Sequence, residues 1–251
     1  MIFQQEKKIS FYDLDANGDV KLTALLKYMN EASWFHAEEL GVGIDKTLEA
    51  GLAFIIQRIG VRIIKLPELS QKITIRTWPA ETTRSAFKRN GDICDKAGNK
   101  IIEWESLWVL IDINERKIKR PSALPMDFPL YGKRGVEIEA NKIIMPGVKE
   151  LHASKELMNS KEPIGSYKHT VHFSELDINL HMNNAIYADL IANVLALSTS
   201  LNIKKWKEVQ FNYVHETKLS DEIAVNAYQA NGSLYISGNS EKKPIFTAMI
   251  N

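Results

Sequence analysis

Asp177, Asn179 and His181 stand two residues apart, immediately ahead of a run whose apolar residues recur with helical period. In extended backbone this spacing puts the three side chains on one side. Asn183 or Asn184 falls where an N-cap is wanted before that run. The start of a helix offers N–H groups without intrahelical partners and the positive end of the helix dipole. Such a place can hold a carbonyl oxygen while it becomes an oxyanion. A carboxylate, an amide and an imidazole converging there suit hydrolysis of an acyl group. A polar loop with an ordinary cap is the competing reading of the same residues.

The elements that must position these residues emerge from an internal repeat. Phe11-Tyr-Asp-Leu-Asp-Ala-Asn-Gly-Asp19 lies on Phe173-Ser-Glu-Leu-Asp-Ile-Asn-Leu-His181 without a gap, with Phe, Leu, Asp and Asn matched. A helical stripe comes after each copy: Leu22, Leu25, Leu26, Met29 and Ala32 in the first, and Tyr187, Leu190, Ile191, Val194 and Leu197 in the second. The second helix carries one formal charge, Asp189, between Ala185 and Asn202, which predicts burial. After each helix the period changes to two. Strands are predicted around Ile73–Thr77 and at 54–65, 86–95 and 100–113 in the first half, then at 208–215, 222–230, 234–238 and 244–250 in the second. Asn231-Gly232 marks a hairpin.

Each half is therefore a strand, a long helix and an antiparallel meander, packed most simply as a helix in the curl of a sheet. This is an α+β protein with two hot-dog folds in tandem. The expected boundaries are 1–135 for the first domain, 136–164 for a proline-punctuated crossover and 165–251 for the second domain. A fused pair forms a pseudo-dimer in one chain, and an exposed sheet edge leaves room for a homodimer.

Composition narrows the class of function. The 251 residues carry 32 basic and 31 acidic groups, too even a balance for non-specific nucleic-acid binding. The single cysteine, Cys94, excludes an intramolecular disulfide framework and a two-cysteine metal site, and it fits a reducing cytoplasm. No apolar run reaches membrane-spanning length, and the first residues lack the apolar core of a signal peptide. A soluble cytoplasmic protein is expected.

The segment Asp177-Ile-Asn-Leu-His-Met-Asn-Asn-Ala-Ile-Tyr187 resembles the D-x-N-x-H-x-N-N-x-x-Y signature of the acyl-acyl-carrier-protein thioesterases, the plant plastid enzymes and their bacterial relatives. The similarity covers nearly the whole chain and includes Arg84, Asp92, Gly98 and the strand Ser106-Leu-Trp-Val-Leu-Ile111. It implies two hot-dog domains in one polypeptide, in agreement with the repeat, and hydrolysis of the thioester between a fatty acyl chain and acyl carrier protein. No cofactor is implied.

Carried over position by position, the resemblance makes Asp177, Asn179 and His181 catalytic and adds Glu216, in Phe211-Asn-Tyr-Val-His-Glu-Thr217. Thr217 stands where plant members often have cysteine, and Cys94 lies in the other half, so a thiolate nucleophile is not supported. Water is then the attacking group. Glu216 is the expected base, His181 orients water and carbonyl, Asp177 holds the imidazole tautomer and Asn179 positions the carbonyl. The first domain is expected to house the acyl tail. It has Asp19 in place of His181 and Leu66 in place of Glu216, so a single active site is expected.

Two basic clusters are candidates for docking the acidic carrier: Arg84, Lys88 and Arg89, and the run Arg116, Lys117, Lys119 and Arg120. Asp13-Leu-Asp-Ala-Asn-Gly18 resembles the start of a calcium loop, but Ala24 stands where a bidentate carboxylate is required, and the repeat explains the segment better. His36, His172 and His215 show no metal-ligand spacing, and no metal is expected. Two other functions stay open: an acyl-coenzyme A thioesterase of the same fold, and a non-hydrolytic acyl-binding sensor. A sensor is expected to need an appended module, for which the residues before Ile9 leave no room.

Overall fold

Residue alternation and the two apolar stripes become two compact units in the computed structural model, residues 1–140 and 141–251. The structure describes every residue except 1, 131–134, 146–161, 199–204 and 242. Most of the expected crossover lies outside the described residues. Among the described residues, no helix is long and apolar enough to cross a membrane.

The first unit runs β1 (Phe3–Lys8), α1 (Leu22–Glu39), α2 (Ile44–Glu49), β2 (Leu52–Ile63), β3 (Lys72–Thr82), β4 (Phe87–Cys94), β5 (Lys100–Asp112) and the short β6 (Lys117–Lys119). The sheet is antiparallel in the order β1-β3-β4-β5-β2, with β6 on the end of β5. Leu22, Leu25, Leu26, Met29 and Ala32 are all buried, because spacings of three and four keep them on one side of α1. Neither α2 nor β6 was signalled by the periodicity.

The second unit repeats this plan with β7 (Gly165–Thr170), α3 (Tyr187–Ser198), β8 (Glu208–Tyr213), β9 (Glu222–Ala230), β10 (Ser233–Asn239) and β11 (Pro244–Ile250). Its sheet order is β7-β9-β10-β11-β8, the same path as the first. Tyr187, Leu190, Ile191 and Val194 are buried as the stripe requires, but Leu197, at its end, is exposed. At the hairpin, Asn231 and Gly232 both take positive φ, 52° and 82°, which suits the twist of β9 and β10.

The correspondence between the units extends to single hydrogen bonds. Ser70 and Ser220 both take left-handed backbone, with φ of 64° and 70°. The N–H of Ser70 reaches the carbonyl of Ile9, and that of Ser220 reaches the carbonyl of Val171, each at 2.9 Å. Across these turns Leu66 and Glu216 hold the same place in their units.

Residues 137–140, expected within the crossover, lie against the first sheet. Glu103 and Glu105, buried on β5, accept the N–H groups of Glu137 and Ala140, both at 3.1 Å. Lys100 pairs with Glu103 at 2.6 Å, Arg62 bridges Glu103 and Glu137, and Lys88 stands 3.5 Å from Glu105. Buried carboxylates need such partners, since an unpaired buried charge would be too costly to retain.

Candidate active site

The segment carrying Asp177, Asn179 and His181 is a tight turn, not an extended strand. Oδ1 of Asp177 accepts the N–H of Asn179 at 2.8 Å and that of His181 at 3.4 Å. The N–H of Asp177 meets the carbonyl of His181 at 2.8 Å, and that of Leu180 meets the carbonyl of Asp177 at 3.0 Å. Leu176 and Met182 close the turn as a single antiparallel bridge. Aspartate favours such bonds to its own backbone over projecting from a strand, which is why spacing alone misplaced the Asp177 side chain. The hydrogen bonds of the Asp177 side chain thus go to backbone, and the expected hold on the His181 tautomer is not seen. Asn179 is exposed and His181 half-buried.

Leu180 sits at φ 61°, in the left-handed region, where the first unit has Gly18 at φ 80°. A side chain there costs about 1–2 kcal/mol. The turn therefore holds some strain beside His181.

Nε2 of His181 lies 3.4 Å from Oε2 of Glu216. Their side chains are 21% and 29% exposed, enough to meet a substrate and water. Glu216 stands after β8, in the connection to β9. The neighbouring residues fix it there: the N–H of Met182 donates to the carbonyl of Thr217 at 2.9 Å, and the Thr217 hydroxyl stands 3.3 Å from the Tyr187 hydroxyl. Thr217 is fully buried, which agrees with a structural role for it.

The helix start is held by aromatic packing. Tyr187 packs edge-on against Tyr213 and Phe246, with centroids 5.4 and 5.0 Å away, and the Tyr213 hydroxyl donates to the carbonyl of Asn184 at 3.2 Å. Burial pushes the Tyr187 hydroxyl up to about 12, so it stays neutral. Asn183 is the cap: its Oδ1 accepts the N–H of Ala185 at 3.0 Å, opening a 3-10 turn that runs into α3. The anchoring parts of Tyr187 and Tyr213 were not foreseen; the aromatic at the end of the Asp177–Tyr187 motif was the available signal.

The first unit makes the same turn without the same chemistry. Asp15 accepts the N–H groups of Asn17 at 2.8 Å and Asp19 at 3.0 Å. At the position of His181 it has Asp19, which is buried, and at the position of Glu216 it has Leu66, also buried.

The basic clusters differ in exposure. Arg84, Arg116, Lys117 and Arg120 are exposed. Lys119 stands 3.3 Å from Asp112 and 3.2 Å from Glu115, and half-buried Lys88 pairs with Glu105. Arg89 departs from the expectation: it is buried on the inner face of β4, where alternation turns it away from solvent. Its Nη1 lies 3.0 Å from His36 Nδ1 and donates to the Thr77 hydroxyl at 3.3 Å. Burial lowers Arg89 to about 10. Burial, with the Arg89 charge adding to it, lowers His36 to about 4. Arg89 is therefore part of the first domain's interior and not of a docking surface.

Cys94 is buried with its sulfur 2.8 Å from Nη2 of Arg76, and it belongs to the first unit while His181 belongs to the second. His172 and His215 lie beyond β7 and β8 rather than on strands. His215 Nδ1 is 2.6 Å from the carbonyl of Pro244. A grouping that the spacing did not reveal also appears: His169, His172 and Glu175 bring one ligand atom each within 4.8 Å of one another.

Comparison with known proteins adds to this geometry. The family model described as the acyl-ACP thioesterase N-terminal domain matches residues 1–123, and that of the C-terminal domain matches residues 159–247. A chloroplastic palmitoyl-acyl carrier protein thioesterase of Cuphea hookeriana is 22% identical over 196 residues, covering 74% of this chain and 45% of the relative. A chloroplastic dodecanoyl-acyl-carrier-protein hydrolase of Umbellularia californica is 23% identical over 194 residues, covering 74% and 49%. The chain spans about half the length of the curated relatives it matches. Among solved structures, an acyl-ACP thioesterase from Bacteroides thetaiotaomicron superimposes with a TM-score of 0.75 at 20% identity, covering 99% of this chain and 96% of that one. The 12:0-ACP thioesterase of Umbellularia californica gives 0.77 at 17% identity, covering 100% and 96%. At these identities the likeness shows a shared fold.

Proposed function

Because the chain belongs to the acyl-ACP thioesterase family, we propose that it hydrolyses the thioester of fatty acyl-ACP and releases the free fatty acid. The observation that carries this reading is the His181–Glu216 pair, a half-exposed imidazole and carboxylate 3.4 Å apart beside the start of α3. That separation is within the looser range of acid–base partners before substrate tightens them.

In this mechanism Glu216 takes a proton from water as the water oxygen bonds to the thioester carbonyl carbon. His181 orients the water and stabilises the oxygen that gains charge. When the intermediate collapses, the C–S bond breaks and the proton passes to the departing thiolate. Asn179, exposed at the rim, steers the carbonyl end of the substrate. Asp177 acts through the turn it closes, fixing the backbone from which His181 projects. The first domain, with no counterpart to the imidazole or the carboxylate, holds the acyl tail.

The carrier docks on exposed basic residues, Arg84 or the run Arg116, Lys117, Lys119 and Arg120. A cytoplasmic site of action belongs to the same reading, supported by the lone, buried cysteine. The test is free-fatty-acid release by the purified protein from matched panels of acyl-ACP and acyl-coenzyme A. Faster turnover of acyl-ACP is expected. Preference for acyl-coenzyme A would move the substrate class, and no release from either would overturn the reading.

A further inference from the structure

We propose that His169, His172 and Glu175 form a binding site for a divalent first-row transition metal ion, with zinc the best fit to the ligand set. His169 is on β7, His172 stands just after it, and Glu175 lies in the 3-10 turn Phe173–Glu175. Nε2 of His169 is 2.9 Å from Oε2 of Glu175, and Nδ1 of His172 is 3.8 Å from the same oxygen. A tetrahedral ion with bonds of about 2.0–2.1 Å holds its ligand atoms about 3.3 Å apart, between these two distances. All three ligand atoms lie within 4.8 Å of one another.

The donor types set the class of ion. Two imidazoles and one carboxylate favour zinc, cobalt, nickel or copper over magnesium and calcium, which prefer all-oxygen shells. Two histidines and a glutamate also leave a fourth position for water. His169 and Glu175 are only 14% and 19% exposed, so two ligands are held by the fold, while His172 is 68% exposed and gives the ion its way in.

The repeat separates what the turn needs from what a metal needs. The same places in the first unit hold Lys7, Ser10 and Asp13. There Asp13 accepts the N–H of Ser10 at 2.6 Å, as Glu175 accepts the N–H of His172 at 2.8 Å. The carboxylate is required to cap the turn in both units. His169 is not, since Lys7 in its place pairs elsewhere, with Glu31 at 2.5 Å, while His172 stands at the cap position that Ser10 holds in the first unit. The Glu175 carbonyl accepts the N–H of Asn183 at 2.9 Å, so a bound ion would tie β7 to the turn that carries His181.

The experiment is a titration of the untagged full chain with cobalt(II), monitored by its visible absorption, with zinc as the displacing ion. Saturation at one equivalent is expected, together with a rise in melting temperature on adding zinc. His169→Ala and His172→Ala should each weaken cobalt binding at least tenfold, while His181→Ala should leave it unchanged. His172 is exposed, so its variant keeps the fold, and its melting temperature should no longer respond to zinc. Absence of saturable binding, unchanged affinity in both histidine variants, or loss of binding in His181→Ala would each overturn the proposal. None of these readouts depends on thioester hydrolysis.

Discussion

His181 Nε2 and Glu216 Oε2, 3.4 Å apart, are brought together by one backbone bond between their neighbours, from the N–H of Met182 to the carbonyl of Thr217. His181→Ala and Glu216→Gln should each lower the hydrolysis rate at least about a hundredfold, the scale of lost acid–base assistance. If the two act as a unit, the double variant should lose little more than either single one. Both side chains are partly exposed, so melting temperatures should hardly move. Turnover near that of the parent chain in either variant would remove these roles.

Tyr187 tests how that geometry is held. Its hydroxyl meets only the Thr217 hydroxyl among the hydrogen bonds seen for it, and Tyr187→Phe keeps the ring packed on Tyr213 and Phe246. Loss of one such bond should cost about 0.5–1.5 kcal/mol, read as a shift of the denaturation midpoint. The rate should fall less than in Glu216→Gln. An equal fall would give Tyr187 a part in the chemistry itself.

The buried Arg89–His36 contact predicts a pH dependence of folding. An unfolded histidine binds its proton near 6.5, whereas His36 in the fold does so at about 4. Between these values the unfolded chain carries more protons, so stability falls as the pH is lowered from about 6.5 to about 4, then levels off. The full loss is about 3 kcal/mol at about 1.4 kcal/mol per pH unit. Chemical denaturation at pH 7, 5.5 and 4.5 measures the slope, and NMR titration assigns it. A His36 ring that protonates above pH 6 in the folded protein would contradict it.

The tandem fold was legible because repeat and periodicity point to the same elements. Strands 222–230 and 244–250 have their predicted bounds, and Leu22, Leu25, Leu26, Met29 and Ala32 all face inward. The pairing of Glu216 with His181 rested on the family resemblance, since no spacing links residues on different elements. What failed was side-chain direction. Asp177 turned back onto its own backbone, and Arg89, read as a surface charge, points inward because strand alternation on β4 outranks the usual exposure of arginine. The His169, His172 and Glu175 grouping was missed because it needs a strand and the turn after it to fold back together.

The burial of Arg89 and the pairing of half-buried Lys88 with Glu105 narrow the docking test to the more exposed basic residues. Charge reversal at Arg84 is compared with reversal of Arg116, Lys117, Lys119 and Arg120, with the Michaelis constant for acyl-ACP as readout. The set that docks should raise this constant without a matching fall in kcat, and added salt should shrink the difference. Arg89→Glu should instead lower stability, by placing a carboxylate in the first domain's interior. If neither surface set changes the constant, the carrier uses another face.

The last prediction concerns the number of active sites. Asp15 and Asp177 close the same turn in the two units, each through Oδ1 and two backbone N–H groups. The side chains around that turn differ: buried Asp19 and Leu66 in the first unit, half-exposed His181 and Glu216 in the second. Asp19 supplies no neutral imidazole at pH 7, and Leu66 leaves the first unit without a carboxylate at the place of the base Glu216. Asp15→Ala should therefore leave the rate within a few-fold, while Asp177→Ala, which frees the backbone of the turn carrying His181, should lower it far more. Asp177→Asn keeps an oxygen able to accept the two N–H groups and should recover most of the loss. A thioester-mimicking inhibitor should saturate at one equivalent per chain. Two equivalents bound, or equal losses from Asp15→Ala and Asp177→Ala, would show that both units react. Failure of Asp177→Asn to recover activity would show that Asp177 acts by its charge and not through the turn.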